Sequence, residues 1–137
     1  MNVQTYFTDS KIKSVNLSFD EKQIELLLLI LEDEERNYLQ WCNILDEPAD
    51  MYVANFFKQS KEILVDAERY NIGAVLESGF ECYFVLQSIA VSLLTYFECE
   101  CNDKEERKIC KEIANEFIKA INQLHENKVS YLLRGVK

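Results

Sequence analysis

A chain of 137 residues with 48% apolar side chains suits one domain with a sizeable core, since a domain of this size hides roughly 68% of its unfolded surface. Three glycines and one proline are too few for the frequent turns of a sandwich or barrel, or for the glycine-rich loops of P-loop and dinucleotide folds. The formal net charge of −9 repels phosphate backbones and argues against direct nucleic-acid binding.

Residues 1–17 read as an N-terminal arm or short hairpin, because Val3, Thr5 and Phe7 alternate with polar neighbours and Lys11 to Leu17 alternates again. Neither a basic start nor an apolar run marks a signal peptide there. Ser18-Phe19-Asp20-Glu21 has capping-box spacing, with Ser18 as cap and Glu21 reaching back. It predicts a helix to about Leu45 with an inward stripe of Ile24, Leu27, Leu28, Leu31, Tyr38, Cys42 and Leu45. Pro48 suits the first turn of a second helix, which carries Val53, Phe56, Phe57, Leu64, Ala67 and Tyr70 on one side and stops at Asn71-Ile72-Gly73.

A third helix is expected from about Ala74 to Glu98. Between Phe80 and Phe97 it is apolar nearly all round, so its neighbours should enclose it. Glu81, the hydroxyl side chains and the lack of any lysine or arginine between Arg69 and Lys104 argue against a membrane span. A last helix starts near Asn102-Asp103-Lys104-Glu105. It sets Ile109, Ile113, Phe117, Ala120, Ile121 and Leu124 against an outer face of Glu105, Lys108, Glu112, Asn115, Lys119 and Asn122. The expected fold is therefore all-α, a four-helix up-and-down bundle over residues 18–137 in one domain, 1–137.

Charge is unevenly spread. Residues 18–47 carry nine acids and two bases, whereas residues 103–137 carry six acids and eight bases. The densest run, Glu32-Asp33-Glu34-Glu35-Arg36, interrupts the apolar stripe of the first helix. It suits either a solvated joint or an acidic knob for a basic partner, with Tyr38 and Trp41 as aromatic anchors beside it.

Enzymatic and metal chemistry have weaker support. Glu32 and Glu35 stand three apart, and Glu47 and Asp50 repeat the spacing. This pattern resembles the ExxE…ExxD of the all-α MazG-type nucleotide pyrophosphatases. The resemblance implies carboxylates holding Mg²⁺ over a nucleotide's phosphates, although Pro48 falls inside the second pair. Cys99, Cys101 and Cys110 with His125 offer a Cys₃His set, but on a straight helix His125 lies about 22 Å from Cys110. Di-iron chemistry needs two Glu-x-x-His units, and there is one histidine. Five cysteines leave at least one unpaired, which suits a reducing, cytoplasmic setting.

The expectation is thus a small acidic protein-interaction module with no cofactor, no metal and no catalytic residues. It binds and inhibits a protein with a basic surface, as immunity proteins, antitoxins and phage counter-defence inhibitors do. The expected contact residues are Glu32, Asp33, Glu34, Glu35, Tyr38 and Trp41. A homodimer and a purely structural, self-associating role are the alternatives beside the pyrophosphatase.

Overall fold

The computed structural model describes the backbone of residues 14–99 and 103–134 and the side chains of residues 14–96 and 103–126. Among these, the order is β1 (Val15–Phe19), α1 (Glu21–Ile44), α2 (Met51–Tyr70), β2 (Ala74–Ser78), a 3₁₀ turn (Phe80–Cys82), α3 (Tyr83–Cys99) and α4 (Lys104–Arg134). These described residues are mostly helical, with four helices, so the all-α expectation holds roughly, but a small sheet is added to it. Strands β1 and β2 pair antiparallel, with Val15 opposite Ser78, Leu17 opposite Leu76 and Phe19 opposite Ala74. Both strands bury every second residue, the mark of a sheet with one wet face.

This pairing moves two expected helix boundaries. Ser18 is no cap. The alternation of Val15, Leu17 and Phe19 carries the extended backbone through it, and its N–H donates to Glu116 Oε1 at 2.9 Å. The capping box sits further along: Asp20 accepts from the Lys22 and Gln23 amides, and Gln23 accepts from the Asp20 amide. The expected third helix loses its first turns in the same way. Ala74-Val75-Leu76-Glu77-Ser78 alternates just as regularly and pairs with β1, so α3 begins only at Tyr83. The arm expected over 1–17 is described only from residue 14, and its last three residues belong to β1.

Helices α1 and α2 end alike without glycine. Asp46 (φ 53°) and Asn71 (φ 52°) adopt the left-handed conformation. The next amides, Glu47 and Ile72, reach back to Cys42 and Ala67, which satisfies the last carbonyls. Pro48 follows the first of these stops and does not open α2 as expected. Asp50 caps α2 instead, accepting from the Tyr52 and Val53 amides. Gly73 lies so close to β1 that a Cβ there would meet the Phe19 carbonyl oxygen at 2.8 Å.

The core lies where the four helices meet the inner face of the sheet. Phe19 of β1 stacks at 5.8 Å on Phe117 of α4. Leu17, Ile24, Leu27, Leu31, Phe57, Leu64, Leu76, Leu86, Ile89, Leu93 and Ile113 are the other large side chains fully buried there. The amphipathic split of α4 is as expected: Ile113, Phe117, Ala120 and Leu124 are buried, while Glu105, Lys108, Glu112, Asn115, Lys119 and Asn122 are exposed. At the helix ends the expected stripes fray, since Leu45 and Tyr70 are exposed.

The expected enclosure of the apolar segment also needs correcting. α3 buries Leu86, Ile89, Ala90 and Leu93, but Phe84 is 81% and Val91 62% exposed. Gln87, Ser88, Leu94 and Thr95 share this outer side. At i, i+3, i+4 and i+7 spacing they form one continuous stripe. No helix among the described residues is long and apolar enough to cross a membrane.

Candidate functional site: a groove between α1 and α3

α1 is continuous through Glu32-Asp33-Glu34-Glu35, so 3.6 residues per turn spread the four acids around the axis. Glu32 and Glu35 look toward α2, where they line a groove with Lys58, Lys61, Glu62, Val65 and Asp66. Glu35 is held there by Lys61 Nζ at 2.5 Å. Asp33 points outward and pairs with Arg36 at 3.1 Å, both well exposed. Glu34 turns the other way, inward, and is only 6% exposed.

Glu34 reaches α3. One carboxylate oxygen accepts from Ser88 Oγ at 2.9 Å, and the other accepts from Ser92 Oγ. The two serines stand one turn apart on the same face of α3, the spacing needed to hold both oxygens of one acid. Among the described residues no lysine, arginine or histidine forms a salt bridge with Glu34. A buried carboxylate usually needs a cation, or several good donors, to offset its lost hydration. Here two hydroxyls supply the donors.

Above Glu34 lies an open groove of about 410 Å³, lined by Glu34, Asn37, Tyr38, Trp41, Phe57, Phe84, Val85 and Ser88. That volume falls within the range of ligand-holding clefts, roughly 300–1,000 Å³. Trp41 is 61% exposed at the rim and so is not a core residue. Phe84, on α3, makes an edge-on contact with Tyr83 at 6.0 Å and is otherwise bare. Tyr38 forms part of the floor. Its ring meets Phe57 at 6.3 Å, and its hydroxyl accepts from the Asp50 amide at 2.9 Å. Burial, opposed by the backbone hydrogen bond at Asp50, raises the Tyr38 phenol above its usual range.

The expected contact set is therefore divided. Glu34, Tyr38 and Trp41 share this groove, Glu32 and Glu35 border α2, and Glu32, Asp33 and Glu34 meet again with Arg36, Ser92, Tyr96 and Glu106 in a second groove of about 410 Å³. Phe84, Ser88, Ser92 and Val91 join the groove or its extension along α3 and were not singled out from sequence. The available signal was a pair of hydroxyls four apart in an otherwise apolar helix.

The other candidates separate. Asp50 is spent on capping α2, and Glu47 sits in the exposed connection before it. The second carboxylate pair of the pyrophosphatase pattern thus does not face Glu32 and Glu35. Among the described residues no three of His, Cys, Asp and Glu converge on a metal position. Cys110 is buried in α4 while His125 is exposed, and Cys101 lies outside the described residues. Cys82 is buried, its thiol 3.6 Å from the Tyr52 carbonyl, and burial pushes its pKa up to about 11.

Comparison with protein-family models, with curated proteins and with solved structures finds no match.

Proposed function

We propose that this chain is a binding module that covers, and so inhibits, a protein with a basic surface, in the manner of an immunity protein or antitoxin. One observation carries the proposal. Trp41 of α1 faces the bare stripe of α3, where Phe84, Val91 and Leu94 are exposed and no charge interrupts them, beside a helix rich in acids. Protein interfaces share this anatomy, with aromatic, charge-poor centres and charged rims. The four helices, taken as an up-and-down bundle clasped by the sheet, serve as a rigid platform. Glu32 and Asp33 supply the rim, and the net charge of −9 steers a basic partner toward it. Like charge on both copies disfavours self-association.

The test is affinity capture from the cell that makes the protein, followed by titration of the captured partner. Trp41→Ala and Phe84→Ala should each weaken binding by about 2 kcal/mol or more while leaving thermal unfolding nearly unchanged. Reversing Glu32 and Asp33 to lysine should mainly slow association. Undiminished capture by the Trp41→Ala/Phe84→Ala double variant would reject this face.

A phosphate-handling role has one observation in its favour, the meeting of Glu32, Glu35, Glu62 and Asp66 with Lys58 and Lys61 across the α1–α2 groove. It requires Mg²⁺-dependent pyrophosphate release from nucleoside triphosphates, lost on Glu35→Gln. A flat assay across all nucleotides would remove it.

A further inference from the structure

We infer that the α1–α3 groove is a receptor for an arginine side chain of the partner, with Glu34 as its carboxylate and Trp41 and Phe84 as its walls. This rests on the basic-partner proposal above and specifies the chemistry of one contact within it.

Glu34 has the capacity. Each of its oxygens accepts one serine hydroxyl, whereas a carboxylate offers about four lone-pair sites. About half its accepting capacity is therefore unspent, and no lysine, arginine or histidine among the described residues forms a salt bridge with it. Ser88 and Ser92 fix the plane of the acid from the α3 side, and the groove opens above it. A cation entering there would complete an ion pair whose burial is already met on the protein's side, so the docking residue alone loses water.

The walls choose between the two basic side chains. A guanidinium is planar and weakly hydrated. It stacks on aromatic faces and donates through a fork that matches a carboxylate. An ammonium is compact and strongly hydrated, and gains less between apolar walls. Trp41 of α1 and Phe84 of α3, 61% and 81% exposed, line the same groove as Glu34, and their aromatic faces suit the first.

Trp41 is the only tryptophan, so its emission reports on this groove alone. The probe is a blocked peptide with three arginines spaced by alanines, compared with matched lysine and citrulline peptides. The full chain should bind the arginine peptide at least tenfold more tightly than the lysine peptide, with a shift in Trp41 emission, and should ignore the citrulline peptide. Glu34→Gln should bring arginine down to the lysine level, with folding checked by circular dichroism. Should Glu34→Gln unfold, Phe84→Ala, at an exposed position, should remove the same preference.

Equal binding of the arginine and lysine peptides by the wild-type chain would overturn the receptor while leaving the basic-partner proposal standing. So would a preference that survives both substitutions. Binding of neither peptide at low salt would sink the two together. A dimer in sedimentation that Phe84→Ala dissolves would show a second copy as the occupant, and would likewise overturn it.

Discussion

The molecule has a closed side and an open side, and both are built from apolar helix. On the closed side, β1 and β2 lie over the core, Phe19 stacks on Phe117, and polar fastenings tie the layers: Ser18 to Glu116, and Gln23 Nε2 to Glu112 at 2.9 Å. The outer face of α4 is polar or charged where it meets water. On the open side, α3 turns Phe84, Val91 and Leu94 outward, and a carboxylate and two serines tie it to the middle of α1. Three bare apolar positions along one face of a single helix are more than scattered exposure explains. The difference teaches that hydrophobicity along a helix does not say which side the fold covers. An uncovered stripe beside a groove is where to look for an external ligand.

The widest gap between the two sides should appear on truncation. Phe117→Ala should cost about 3–5 kcal/mol in chemical denaturation, because it empties a fully enclosed site. Phe84→Ala should stay within about 0.5 kcal/mol, as exposed positions do. A comparable loss at both would mean that the open side is covered after all. Next in size is Gly73→Ala. A methyl 2.8 Å from the Phe19 carbonyl oxygen must push the β2 entrance away from β1, at about 1–3 kcal/mol, and the melting temperature should fall accordingly. Asp20→Ala removes the acceptor for two amides at the start of α1 and should cost about 1 kcal/mol. Ser18→Ala, by contrast, leaves the backbone bond to Glu116 in place and should be nearly silent.

The smallest effect concerns pH. The Cys82 pKa rises to about 11 in the fold from a reference of 9.0, through burial. The unfolded chain therefore loses its proton first, and each step upward favours it. The stability that this thiol contributes is complete below pH 9 and is lost as pH rises toward 11. The half-buried Tyr38 phenol, also raised, acts in the same direction. Melting temperatures should fall across that window in the wild type and fall less in Cys82→Ala. A flat profile would show that this corner admits water.

Much of the helical content was legible because it rests on local chemistry. The period of Ile113, Phe117, Ala120 and Leu124 with charges between them admits one orientation of α4. Asn71-Ile72-Gly73 marks the end of α2, where Asn71 takes the left-handed conformation. The sheet was not legible, since its two strands are five residues each and separated by two whole helices. Ala74-Val75-Leu76-Glu77-Ser78 has no turn residue to divide it from the helix that follows except Gly79, and strand character comes only from the partner. The site was half legible. The acid run stood out, but which of four consecutive carboxylates turns inward depends on the phase of α1 against α3, a tertiary fact. Glu34 sits opposite Ser88 and Ser92 because the packing of Leu27 and Leu31 sets that phase.

The β1–β2 pairing has a consequence for synthesis. Strand β1 is made well before its partner, residues 74–78, so α1 and α2 must both be made before the clasp can shut. Until then Val15, Leu17 and Phe19 have no sheet to join. This short greasy strand is open to a chaperone throughout that interval, and the helical hairpin that follows has time to form before it is fastened at both ends.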